Sequence, residues 1–167
     1  RMVCCVRNPA WVMDSFEAIY RRNPFDYSRM FNAASRQTVY SRCESLIHVA
    51  GAVGSAWTAL KEAYYGEFSE RLLIVDYDLL THHPRRTVEL IYQFLGEEAF
   101  AHDFDAVEYS ESEFDLQLGV KGLHDVRRKV AFKPRRSILP PDLFARYQAM
   151  DFWQDTTGTS AHIIASK

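Results

Sequence analysis

At 167 residues, with 47% hydrophobic and 25% charged side chains, the chain is long enough to bury one core, and one domain is the default. A net charge of −2 argues against a generic nucleic-acid binder, and no run of ~20 apolar residues is present to span a membrane. Three cysteines, two of them adjacent at Cys4 and Cys5, do not read as a disulfide framework and fit a reducing, cytoplasmic setting. The histidines lack metal-ligand spacing with cysteines or carboxylates, so no metal is expected.

The first predicted element is an apolar strand, Val3 to Val6, that ends abruptly in Arg7-Asn8-Pro9. A helix follows: Asn8 can cap it, and Pro9 suits its first position, where the missing N–H costs nothing. Val12, Phe16, Ile19 and Tyr20 recur at helical spacing and predict its apolar face. Ser15 sits roughly 9 Å above Pro9 at a rise of about 1.5 Å per residue. Arg7 at the strand end can run part of that way. A guanidinium fork and a hydroxyl beside a strand-to-helix junction suit a phosphate.

From Arg21 to Arg36 the periodicity is lost, yet Phe25, Tyr27 and Phe31 make the stretch too aromatic for a mere linker. Apolar contact to a substrate and satellite packing on the core are equally good uses for it. Val39, Cys43, Leu46, Ala50, Val53, Trp57, Leu60 and Tyr64 then predict one long helix ending near Gly66. Its single stripe is core-facing, with a homodimer seam as the other use. The Gly51 to Ala56 run inside it reads as tight packing.

Leu72 to Val75 is a buried parallel-type strand leading into Asp76-Tyr77-Asp78. Pro84 then opens an amphipathic helix bearing Val88, Ile91, Phe94 and Leu95, closed by Gly96. Asp76 and Asp78 read as solvated groups or helix-turn partners. Short helices or turns are expected over Glu97 to Phe114. A basic stretch follows, from Lys121 through Arg127, Arg128 and Lys129 to Arg135 and Arg136, where it focuses anions. For Arg135 and Arg136 a solvated loop is the preferred reading. Pro140-Pro141-Asp142 opens a last helix, and the Thr/Ser/Gly-rich stretch from Asp155 predicts a poorly anchored tail. Strands alternating with helices give an α/β fold with a parallel sheet.

Two of these segments resemble signatures of sulfotransferases that use 3′-phosphoadenosine 5′-phosphosulfate. One is the strand ending in Arg7-Asn8-Pro9 with Ser15 eight residues after the arginine. The other is the strand running into Asp76-Tyr77-Asp78, then Pro84 and Phe94-Leu95-Gly96. Lys121-Gly122 matches a third, looser element, although Val120 stands where an arginine is usual and the following Gly and Trp are absent. The resemblance implies a three-layer, P-loop-kinase-like sandwich over residues 1–154, with 155–167 as a flexible tail. It implies transfer of a sulfuryl group from that donor to a hydroxyl or amine of a small-molecule or glycan acceptor. Arg7 and Ser15 would hold the 3′-phosphate, Tyr77 would border the adenine, and Lys121, Gly122 and Arg127 would close over the phosphates.

The family's phosphosulfate-cradling loop is not seen among these residues. The expectation is therefore of a domain incomplete at its N-terminus and inactive as this chain alone. No catalytic residue is assigned; His124 is the candidate nearest a matched motif, and a solvated loop histidine is the commoner case. Two other classes compete: a P-loop nucleotide kinase relative, and a non-enzymatic helical interaction module.

Overall fold

The computed structural model of the protein describes residues 1–22, 31–107, 109, 112–118, 124, 126 and 128–164. Strand β1, Met2–Val6, feeds helix α1, Pro9–Arg22. Asn8 opens that helix as expected: its Oδ1 accepts from the Ala10 N–H at 3.0 Å, with Pro9 at the first helical position. Two helices follow, α2 over Val39–Ile47 and α3 over Ala52–Tyr65. The single long helix expected across this stretch is thus broken, at His48 to Gly51. A capping box of Thr38 and Ser41 starts α2, and Gly51 starts α3.

Gly54 explains why the two helices meet so closely. A Cβ there would lie 2.1 Å from the Ile47 carbonyl oxygen and 2.2 Å from that of His48. The apolar period survives the break because both helices keep facing the same interior, which is how one stripe reads as one helix.

Strand β2, Leu72–Asp76, runs straight into α4, Tyr77–His82, and then α5, Pro84–Leu95. Asp76 caps α4, its Oδ1 accepting from the Leu79 N–H at 3.0 Å. Gly96 ends α5 at φ 77°, in the left-handed region that favours glycine. Helices α6, Ser112–Leu118, and α7, Pro141–Gln148, complete the helical set among the described residues.

The sheet has three parallel strands in the order β1-β2-β3, where β3 is His162–Ile164. The stretch after Asp155 therefore departs from the tail the composition predicts. Its His-Ile-Ile run is too short to announce a strand, but β2 offers it a free edge. Ser160 N–H donates to Ser69 Oγ at 3.2 Å and Thr159 to the Tyr64 carbonyl, seating the approach to the strand.

Burial splits into two clusters. One joins Val6, Leu72 and Ile74 of the sheet to Tyr64 and Trp153, with Trp57 and Leu60 of α3 packed on it. The other joins Ala10 and Met13 of α1 to Cys43 and Leu46 of α2 and to Leu143 and Tyr147 of α7. Alternate β2 residues Leu73 and Val75 are buried too, and Leu73 shares a crevice with Leu90 and Phe94 of α5. A small parallel sheet packed against helices agrees with the α/β expectation.

One expectation for α1 is corrected. Its buried residues are Pro9, Ala10, Met13, Asp14 and Glu17, whereas Val12, Phe16 and Tyr20 are only partly covered. The inward stripe is rotated about one residue from the apolar one, because both buried carboxylates find arginines. No helix among the described residues is long and apolar enough to cross a membrane.

Candidate functional site

Sheet register builds the first half of the site. Because β1 and β2 run parallel with Val6 opposite Asp76, the next residue of each chain must emerge side by side at the same sheet end. Those residues are Arg7 and Tyr77. The Arg7 guanidinium lies over the Tyr77 ring, 4.4 Å from its centroid, a separation at which the cation meets the negative ring face. Carboxyl ends of parallel strands are where open α/β sheets bind ligands. Arg7 Nε is buried and has no hydrogen-bond partner, an uncommon state for a charged donor. Stacking fixes the plane of the guanidinium without using its N–H groups.

The second half is built on α1. Ser15 Oγ donates to the Trp11 carbonyl at 2.9 Å, one turn back, and so points along a fixed direction. It accepts in turn from Arg135 Nη2 at 2.8 Å. Arg135 also donates to the Trp11 carbonyl at 3.2 Å and its guanidinium sits 5.4 Å from the Trp11 ring centroid. Its other nitrogen, Nη1, pairs with Asp14 Oδ2 at 2.9 Å. Arg135 is thus docked against α1, a correction to the solvated loop expected for it. Sequence reasoning missed it because its partners lie about 120 residues upstream. The one available signal was the abundance of cations on that segment.

No hydrogen bond or ion pair joins Arg7 to Ser15; each is held by a different partner. Lys121, Gly122 and Arg127 lie outside the described residues, as do Phe25 and Tyr27. Phe31 is described, and it is 7% exposed in the α1–α2–α7 core, edge-on to Tyr20 at 5.9 Å. For Phe31, packing is the observed use.

His124 is no free loop histidine. Its Nδ1 lies 2.5 Å from Asp115 Oδ1, and its backbone N–H donates to Oδ2 at 3.2 Å. Cys4, Cys5 and Cys43 are unpaired. Burial, aided by the Asp76 carboxylate, pushes the Cys5 thiol up; burial pushes Cys43 up to about 11. Neither is a thiolate near neutral pH. No group of His, Cys, Asp and Glu among the described residues could hold a metal ion.

Arg7 also borders an apolar crevice of about 200 Å³ between Val12 and Phe16 of α1 and Trp57 and Leu60 of α3. A larger open cleft of about 670 Å³, between the α4–α5 junction and residues 129–132, shares none of these side chains.

The structure thus offers a stacked arginine at the strand ends and, on α1, a fixed hydroxyl paired with a second arginine, groups whose chemistry suits an oxyanion. The family model for the sulfotransferase domain matches residues 1–114, which include Arg7, Ser15 and Tyr77. The chain belongs to the sulfotransferase domain family. No curated protein and no solved structure matches it. Within this sulfotransferase the family match covers both strand ends of the site, while Arg135 enters from outside the matched region.

Proposed function

We propose that this sulfotransferase uses 3′-phosphoadenosine 5′-phosphosulfate and passes its sulfuryl group to a hydroxyl or amine on a small-molecule or glycan acceptor. The observation that carries the reading is the Arg7–Tyr77 stack at the paired strand ends, with Arg7 Nε buried and unpaired. An arginine whose plane is fixed by an aromatic ring, and whose buried Nε remains unpaired, is ready to donate to a phosphate.

In this reading Arg7, Ser15 and Arg135 grip the 3′-phosphate, the group that separates this donor from ordinary adenine nucleotides. Tyr77 borders the adenine, and Lys121, Gly122 and Arg127 close over the phosphates. Sulfuryl transfer resembles phosphoryl transfer in relying on positioning and on cations around the leaving phosphate. Anchoring the nucleotide at its 3′ end fixes it from the side remote from the reacting sulfur. The P-loop-kinase-like architecture and a cytoplasmic setting belong to the same proposal, the latter supported by three unpaired cysteines.

Titration calorimetry with adenosine 3′,5′-bisphosphate and adenosine 5′-phosphate tests it. Losing a charge-assisted contact costs about 1.5–3 kcal/mol. Arg7→Ala should therefore weaken bisphosphate binding more than tenfold and leave the monophosphate nearly unchanged. Arg7→Lys should keep the charge and lose the fork. Equal losses for both nucleotides count against the 3′-phosphate assignment, and a wild-type preference for ATP would favour a kinase relative.

A further inference from the structure

Beyond the phosphate-facing groups, one buried side chain on α1 controls where a cation can stand. Asp14 is 1% exposed and precedes Ser15 in sequence. Its Oδ1 accepts from Ser137 Oγ at 2.8 Å and from the Ile138 N–H at 2.7 Å, pinning that segment to the helix. Its Oδ2 lies 2.9 Å from Arg135 Nη1. Arg135 Nη2, at the other corner of the same guanidinium, reaches Ser15 Oγ at 2.8 Å. The Oδ2 contact is an ion pair without hydrogen-bond alignment, so Asp14 holds the planar guanidinium close by charge while its Nη2 bonds to Ser15 and the Trp11 carbonyl set its direction.

We propose that Asp14 is a positioning residue for anion recognition: it holds Arg135 on Ser15, so that the phosphate meets an arginine already in place. This rests on the 3′-phosphate reading of Arg7, Ser15 and Arg135. Three features support it. Asp14 spends one oxygen on the 137–138 segment and the other on Arg135, so segment and side chain are set by the same carboxylate. The Arg135 side chain keeps 32% of its surface exposed against 1% for Asp14, leaving the cation reachable while its anchor is not. An arginine on an irregular segment otherwise loses much rotamer freedom on meeting a ligand, and that cost is met beforehand here.

Asp14 has a second consequence. A buried carboxylate beside Ser15 repels an incoming phosphate unless Arg135 screens it, so the two side chains act as one unit. Removing the arginine alone leaves a bare anion at the site.

The test compares Asp14→Asn, Arg135→Ala and the double variant in the full-length protein, reading affinity for adenosine 3′,5′-bisphosphate and adenosine 5′-phosphate by calorimetry. Asparagine can keep Oδ1 for Ser137 and Ile138 but turns a donor toward Arg135, releasing the arginine and leaving the segment docked. Asp14→Asn is expected to lower bisphosphate affinity about tenfold with the monophosphate unchanged within twofold. In the Arg135→Ala background the same substitution should cost nothing further and can restore part of the affinity. Should Asp14→Asn fail to fold, Ser137→Ala carries the test, with an expected threefold loss confined to the bisphosphate.

A role in folding alone lowers stability without moving the ratio of the two affinities. The inference is overturned if the wild type prefers the bisphosphate, Arg135→Ala abolishes that preference, and Asp14→Asn, or Ser137→Ala where it stands in, leaves the wild-type preference undiminished. An additional tenfold loss in the Arg135→Ala background overturns it as well. If the wild type shows no preference at all, the 3′-phosphate reading itself fails, a distinct outcome.

Discussion

Asp14 and Glu17 sit one turn apart on α1, 1% and 3% exposed, and both need a cation to be tolerated there. Glu17 is closed on every side. Arg42 forks onto it with Nε and Nη2 at 2.8 Å each, and Arg21 Nε adds a third contact at 2.8 Å. Arg42 is itself buried, lies 3.9 Å from the Tyr20 ring centroid and donates to the Arg36 carbonyl at 2.7 Å. Asp14 instead holds an arginine whose far corner faces the candidate site. A charge pair sealed in the scaffold ties α1 to α2, whereas a pair with one open edge keeps a donor ready. The same helix thus carries a strut and a mount, distinguished by what lies beyond the arginine.

The sharpest way to break this comparison is to open the sealed pair. Glu17→Gln leaves Arg42 buried without its counter-charge, and such a loss typically costs about 3–5 kcal/mol. Urea unfolding should show a large fall in midpoint, while the folded fraction still prefers adenosine 3′,5′-bisphosphate over the monophosphate. Replacing Glu17 and Arg42 together by Leu and Met should recover much of the stability, because neither charge is then stranded. A changed nucleotide preference in Glu17→Gln would place Glu17 with Asp14 on the functional side.

Phe31 sharpens the contrast next. It belongs to the aromatic stretch whose apolar character fits either an acceptor surface or core packing, and it is found edge-on to Tyr20, the ring under Arg42. Phe31→Ser should cost roughly 3 kcal/mol, in the range of large-to-small core changes. The acceptor KM should hold steady in the variant at a temperature where it is folded. A raised KM with unchanged stability would return this residue to the acceptor site.

These side chains also mark how far the sequence could be read. The strand ending in Arg7-Asn8-Pro9, the cap on α1, strand β2, helix α5 and its closing Gly96 are local patterns, and each was legible because its causes lie within a few residues, whereas α4 was not read as a helix. Tyr77 entered the reading through the family resemblance, and its meeting with Arg7 follows once the two strands are paired in parallel. Arg135 was not legible. Nothing near it in sequence tells a solvated arginine from one docked on a helix 120 residues away. Asp14 and Glu17 misled the reading of α1 in the opposite direction: charged residues at inward positions look like an outward face until their arginines are known. The break at His48–Gly51 was hidden by an apolar period that runs through it, and β3 by its brevity.

The smallest effect expected concerns the start of α2, the helix that delivers Arg42. Thr38 Oγ1 accepts from the Ser41 N–H at 3.0 Å, and Ser41 Oγ accepts from the Thr38 N–H at 3.0 Å. This reciprocal box satisfies two donors that the helix itself cannot, and losing such a cap typically costs about 1 kcal/mol. Arg42 is four residues further on, and its N–H already bonds the Thr38 carbonyl at 3.0 Å within the helix. Thr38→Ala should therefore fray the first turn without unseating the guanidinium from Glu17. The expected result is a modest shift of the urea midpoint at constant slope, with Thr38→Ser restoring most of it. Nucleotide preference should not move. A loss in Thr38→Ala as large as that in Glu17→Gln would mean that Arg42 depends on the cap for its position, and that the strut begins at the helix end and not at the ion pair.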